Sequence, residues 1–188
     1  MTRTWLRMSI LAVAAVVLAA AAIPLWACPR VTAAPTATPA DAWAAMFPDG
    51  LVDAAGKKVS LDQLKGKVVG IYFSAHWCPP CRAFTPKLVE FRDKNDANFE
   101  VVFVSADRTA DAKTKYMTEA QMKWPSVPFA AKSAKALMST HQVRGIPMLV
   151  ILSPGGKVIS KNGRGEVMSA AATCLDTWKK AGAEADAK

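Results

Sequence analysis

A run of β-prone apolar residues that ends just before a pair of closely spaced cysteines constrains this chain more than any other feature. Val68 to Phe73 is nearly all apolar, the mark of a strand buried on both faces. Trp77-Cys78-Pro79-Pro80-Cys81 follows, and from Arg82 to Lys94 the residues Phe84, Leu88 and Phe91 recur at helical spacing. Pro86 falls inside that pattern and predicts a kink. Buried strand, cysteine turn and helix therefore form one unit. It requires a sheet with cover on both faces.

The rest of the chain supplies both. Leu51-Val52 and Val59, either side of Asp53 to Gly56, predict a short hairpin. Ser60 is placed to cap a helical turn through Leu64. Phe99 to Val104 reads as a second buried strand, Asp111 to Met122 as a polar helix, and Trp124 to Phe129 as extended chain. Ser133 is the expected cap of a helix ending at His141, where a cation suits the helix dipole. Met148 to Leu152 and Val158 to Ser160 predict strands joined by the turn residues Pro154-Gly155-Gly156. A last amphipathic helix over Glu166 to Lys180 sets Ala171, Cys174, Leu175 and Trp178 on one face. The expected fold class is α/β, a three-layer arrangement with a central mixed sheet and helices on both faces.

The first 33 residues read as an address. Arg3 and Arg7 precede 22 residues without a charge, as in a secretory signal, and Val31-Thr32-Ala33 offers a cleavage site. Retention of the run as a membrane anchor is one rival. Lipidation at Cys28, after Leu25-Trp26-Ala27, is the other. Each route carries the domain across a membrane, to a compartment where disulfide chemistry operates. The bacterial periplasm or the outer membrane face is the expected location, and contact with a membrane is expected only through an uncleaved leader or a lipidated Cys28. Residues 34–45 are rich in Ala, Thr and Pro and predict a linker; 46–181 is the expected domain and 182–188 a disordered tail.

Beyond Arg30 the chain carries 21 Lys and Arg against 15 Asp and Glu, and its longest basic runs are pairs. Nucleic-acid binding calls for a clustered basic stripe, so no nucleic-acid partner is expected. Four cysteines are too few for a disulfide scaffold. A Cys-x-x-Cys pair serves as half a zinc site, a haem attachment or a redox dithiol. Arg82 stands where haem attachment needs His, and the chain has no second ligand pair for zinc. A dithiol at a helix start makes physical sense, because free N–H groups and the helix dipole stabilise a thiolate. Cys78, outermost, is the expected nucleophile and Cys81 the resolving thiol; Pro79 and Pro80 fix the loop. The two thiols carry the electrons, so neither bound cofactor nor metal is needed.

These motifs resemble the thioredoxin superfamily over about Val68 to Lys161. Within it, Tyr72 to Arg82, Phe84-Thr85-Pro86-Lys87-Leu88 and Trp124 to Ala130 are most similar to the tryparedoxin and nucleoredoxin branch. The resemblance implies a cis Ile146–Pro147 peptide, from Val143-Arg144-Gly145-Ile146-Pro147, with the Ile146 backbone pairing a bound client. It implies a thiol–disulfide oxidoreductase acting on cysteine-containing client proteins and recharged by a thiol electron donor. Reduction is the favoured direction; oxidation by the same fold, or client or metal binding without turnover, are the alternatives. Tyr72 stands where thioredoxin proper has a buried aspartate, and Asp107 is the candidate proton acceptor for Cys81. Trp77 is expected to touch clients, His76 either to tune Cys78 or to face solvent, and Cys174 to be a buried small side chain.

Overall fold

The structure, a computed structural model, describes residues 39–188. The leader, Cys28 and the linker as far as residue 38 lie outside the described residues. In chain order the elements are α1 (Pro39–Met46), β1 (Leu51–Val52), β2 (Lys58–Val59), a 3-10 turn (Leu61–Leu64), β3 (Val68–Ser74) and α2 (Pro79–Lys94). There follow β4 (Phe99–Ser105), α3 (Ala110–Glu119), α4 (Lys132–Thr140), β5 (Met148–Leu152), β6 (Val158–Ser160), α5 (Gly163–Ala170) and α6 (Cys174–Asp186).

The main sheet has the order β4-β3-β5-β6. β3 pairs β4 in parallel, which requires the crossover that α2 supplies, while β5 is antiparallel to both β3 and β6. Every β3 residue is buried, because both sheet faces are covered. The two-residue period divides the core. Val68, Tyr72, Phe99, Phe103, Leu149 and Ile151 face a layer built from α2, α3, α5 and α6. Val69, Ile71, Phe73, Val102, Val150 and Leu152 face α1, α4 and the β1–β2 region. Gly70 belongs at the centre of β3, since a Cβ there would come within 2.9 Å of both Leu149 and Phe99 side chains.

Several expectations need correction. Composition predicts a linker through residue 45, yet Pro39–Met46 is helical and Trp43 is fully buried (0% exposed), its ring 6.3 Å from that of Phe47. One large aromatic side chain anchors a stretch whose Ala and Pro content suggests none. Ser133 is not the cap of α4: its N–H donates to Asp49 Oδ2 (3.1 Å), a carboxylate from a distant loop. The single last helix is two, broken between Ala170 and Cys174, so Ala171 is exposed while Cys174, Leu175 and Trp178 are buried. The predicted tail instead continues α6 to Asp186. That carboxylate accepts from Ser153 Oγ (2.6 Å) and the Gly155 N–H (2.9 Å), tying the helix end to the β5–β6 turn.

Candidate active site

β3 delivers the chain to a turn, Ala75-His76-Trp77, from which α2 departs. Cys78 is the N-cap residue in extended conformation (φ −93°, ψ 108°), and its N–H returns to the Ala75 carbonyl (3.2 Å). Pro79 and Pro80 occupy the first two helical positions, where an N–H would have no intrahelical acceptor. Cys78 and Cys81 are joined as a disulfide, with Cα atoms 5.2 Å apart. The next two N–H groups, of Cys81 and Arg82, both donate to the Cys78 carbonyl at 3.1 Å. The expectation of free N–H groups facing the sulfur is therefore corrected. Two positions are prolines and two donors are already engaged, which leaves the field of the helix to act on Cys78.

Around Cys78 lies a rim. Cys78 retains 4% exposure, and its Sγ is 3.8 Å from the Ile146 carbonyl oxygen. The Ile146–Pro147 peptide is cis. Trp77 is 56% exposed, with its indole N–H donating to the Ala106 carbonyl (3.2 Å). Asp107 braces this loop: Oδ1 accepts the His76 N–H (2.8 Å) and Oδ2 accepts the Ser105 hydroxyl (2.7 Å). His76 also reaches α3, its Nε2 3.0 Å from Glu119 and its ring 5.5 Å from that of Tyr116.

Beneath Cys81 lies a floor that the sequence did not reveal. Cys81 is 0% exposed, and its carbonyl accepts from Thr85 Oγ1 (2.9 Å), one helical turn on. With its only proton committed, Thr85 accepts from Tyr116 (2.5 Å) and Tyr72 (2.8 Å). Tyr116 in turn accepts from Ser74 (3.1 Å). Burial, then the neighbouring Tyr116, pushes the Tyr72 phenol above its ordinary 10.0, so Tyr72 enters this network as a neutral hydroxyl. The side chains that hydrogen-bond the Cys81 carbonyl are the hydroxyls of Thr85 and Tyr72. Thr85, four residues after Cys81, was within reach of a helical-spacing argument; Tyr116, brought in on α3, had no local signal.

The remaining candidates stand apart. Cys174 is buried, its thiol pushed up to about 11 by burial and then by Glu166. His141 ends α4, but burial and then Lys161 lower its pKa, so it is held neutral rather than acting as a helix-end cation. Trp124 is core. Among the described residues no three His, Cys, Asp or Glu side chains cluster as metal ligands, and no helix is long and apolar enough to cross a membrane.

Residues 66–158 match the family model described as thioredoxin-like. Probable nucleoredoxin 1 of Arabidopsis thaliana is 45% identical over 118 residues, covering 61% of this chain and 20% of that protein. The chain thus spans about a fifth of the length of that curated relative. Among solved structures, tryparedoxin II from C. fasciculata is 34% identical with TM-score 0.66, over 72% of this chain and 92% of its own. Thioredoxin from Wuchereria bancrofti is 44% identical with TM-score 0.59, over 70% and 94%. Motif, sheet order and all three comparisons agree: this chain is a member of the thioredoxin superfamily in its tryparedoxin- and nucleoredoxin-like branch.

Proposed function

We propose that this protein is an exported reductase of protein disulfides, working through Cys78 and Cys81. The observation that carries the reading is the asymmetry of the pair: Cys78 faces the Ile146 carbonyl at the surface while Cys81 is sealed beneath it. The Cys78 thiolate attacks one sulfur of a client disulfide, and the bonding electrons leave with the other client sulfur as a thiolate. Cys81 then attacks Cys78 Sγ and expels the second client thiolate, which takes up the proton that Cys81 gives up. Two electrons pass to the client, and the enzyme is left with the Cys78–Cys81 disulfide. A thiol donor of lower potential restores the dithiol; no other cofactor enters. Ile146, Pro147 and Trp77 hold the client, Pro79 and Pro80 fix the turn, and Asp107 keeps the loop in place.

Export rests on the leader, whose Arg3 and Arg7 precede a charge-free run. The periplasm or outer face of a bacterial membrane is the corresponding location. An N-terminus at Ala34 in an extracytoplasmic fraction is the expected result; the full chain recovered from cytosol argues against it.

The deciding experiment uses Cys81→Ser. A reductase with this variant accumulates mixed disulfides between Cys78 and its clients, released by dithiothreitol and identifiable by mass. If nothing releasable accumulates, the reading fails. The midpoint potential gives the direction: near about −270 mV supports reduction, whereas a value towards about −120 mV makes the protein an oxidant.

A further inference from the structure

The rim of Cys78 is not uniform in charge. From Pro147 a cleft of about 450 Å³ runs over Met148 and Leu149 to the β6–α5 turn, where Lys161, Asn162 and Arg164 line it. The two segments are held together by close packing. A Cβ on Gly163 would come within 2.6 Å of the Ile151 side chain and 2.9 Å of the Leu149 carbonyl, so only glycine lets the turn approach β5 this closely. Leu149 is two residues beyond Pro147, about 7 Å along an extended strand. Lys161 and Arg164 are thus held within a few residues' reach of the cis peptide whose Ile146 carbonyl lies against Cys78 Sγ.

These cations have nothing to neutralise them. Among the described residues neither Lys161 nor Arg164 has a carboxylate within ion-pair distance, and no Asp or Glu lines the cleft. Glu166, the nearest acid in sequence, turns both oxygens inward, accepting from Ser160 Oγ (2.9 Å) and Trp178 Nε1 (2.8 Å). Arg144, exposed two residues before Ile146, is also without an acid partner. The turn that leads into Cys78 carries carboxylates instead: Asp107 accepts the His76 N–H (2.8 Å), and Glu119 lies 3.0 Å from His76 Nε2. Met168, 52% exposed, gives the basic cleft an apolar end wall. Unpaired cations beside an apolar wall, in a cleft that starts at the cis proline, complement a chain bearing carboxylates.

We propose that the cleft between Pro147 and the β6–α5 turn selects clients whose disulfide is flanked by acidic residues, with Lys161 and Arg164 receiving the carboxylates. This deepens the protein-disulfide reading and rests on it. An extended client laid along Ile146 puts its cysteine over Cys78. Its neighbouring residues lie in the cleft, and the charge difference between the two sides of the rim fixes the direction in which it lies. Because the cations act before the sulfurs meet, they speed encounter with acidic clients and leave the thiol chemistry alone.

The test uses the reduced full chain in single turnover, so that no electron donor is required. Two disulfide-linked peptides of equal length, with Glu or with Lys flanking the cysteine, are compared by the second-order rate of thiol release. At low ionic strength the Glu peptide is expected to react about tenfold faster. That ratio should shrink towards parity near about 1 M salt, where the screening length falls to about 3 Å. Lys161→Glu with Arg164→Glu should invert the ratio, and Lys161→Gln with Arg164→Gln, the gentler change at the same exposed positions, should bring it near one. Lys179→Glu with Lys180→Glu, an equal change of net charge on α6, should leave it unaltered. Equal wild-type rates for the two peptides overturn the proposal but not the reading beneath it. So does a control pair that shifts the ratio as much as the cleft pair, since net charge alone would then be responsible. Glutathione disulfide reacting faster than the Glu peptide would assign the cleft to a free tripeptide's carboxylates, also against the proposal. If neither peptide is reduced while hydroxyethyl disulfide is, the protein-disulfide reading itself falls.

Discussion

Cys78 and Cys81 are bonded to each other, yet one sits at a rim of backbone and exposed indole while the other rests on a sealed floor of hydroxyls. The rim holds Trp77, the Ile146 carbonyl and the cis Pro147, the groups proposed to meet a client. The floor holds Thr85, Tyr72, Tyr116 and Ser74, each hydroxyl bonded to another. The difference separates two tasks. Under the proposed function, reactivity towards clients belongs to the rim and the placement of the resolving sulfur to the floor. A change to one region should therefore leave the other's task intact.

The largest effect comes from the sulfurs themselves. Cys78→Ser should abolish turnover, whereas Cys81→Ser should still release one client thiol per enzyme and then stop. Quench-flow counting of released thiol distinguishes them; if Cys78→Ser retains the first release, Cys81 attacks clients directly and the asymmetry is illusory. Next in size is Thr85→Val, which keeps the shape but removes the hydroxyl that bonds the Cys81 carbonyl and both phenols, leaving Tyr116 its bond to Ser74 and Tyr72 a longer one to that carbonyl (3.4 Å). Each buried group left without a partner costs about 1–3 kcal/mol. The urea midpoint should fall markedly, while the Michaelis constant for a client stays near the wild-type value. A matching rise in that constant would mean that the floor shapes the rim.

The two regions were unequally legible in the sequence. Strand β3, the cysteine turn and α2 follow from local pattern, because a doubly buried strand and a kinked amphipathic helix each declare themselves within a dozen residues. The cis Ile146–Pro147 peptide was expected only through family resemblance. Most of the floor was hidden, since Tyr116 joins it from 31 residues beyond Thr85 and Ser74 from the end of another strand. The same physics hid the cap from Asp49 to Ser133 and the tie from Asp186 to Ser153, hydrogen bonds that span 84 and 33 residues. Helix α1 was missed for a different reason. Its composition is that of a linker, and a single side chain, Trp43, supplies the burial.

Lys113 offers a smaller effect on the floor's own helix. It lies one turn before Tyr116 on α3, and its Nζ donates to the Val127 carbonyl (2.8 Å). Burial lowers its pKa from 10.5 to about 8. Below about pH 8 the amine is charged in both folded and unfolded chains, and the cost of burying it is constant. Between about 8 and 10.5 the unfolded chain keeps a proton that the folded chain has released. The unfolded state then binds more protons, so stability rises with pH, by at most about 1.4 kcal/mol per unit. Cys174, raised from 9.0 to about 11, acts in the opposite sense at higher pH. The clean measurement is therefore the difference in unfolding free energy between wild type and Lys113→Met from pH 8 to 9. Wild type should gain on the variant; a flat difference would show that the amine is as well solvated folded as unfolded.

The smallest effect on stability, and the sharpest test of the division, is expected at Trp77. Its side chain is mostly in solvent and makes one hydrogen bond, to the Ala106 carbonyl. Truncation to Ala should change the unfolding free energy by no more than about 0.5 kcal/mol, as for other exposed positions. A tryptophan beside the attacking sulfur is nevertheless the side chain best suited to anchor a client. Loss of such an anchor costs binding about 1 kcal/mol or more. Trp77→Ala should therefore raise the Michaelis constant for a protein client several-fold, while the rate towards a small disulfide such as hydroxyethyl disulfide is far less affected. Thr85→Val predicts the mirror image, a lower unfolding midpoint with client affinity preserved. If Trp77→Ala instead destabilises the fold as much as Thr85→Val, the indole and its bond to Ala106 belong to the same cooperative unit as the hydroxyls. Rim and floor would then be one structure, and client contact could not be tuned without disturbing the resolving thiol.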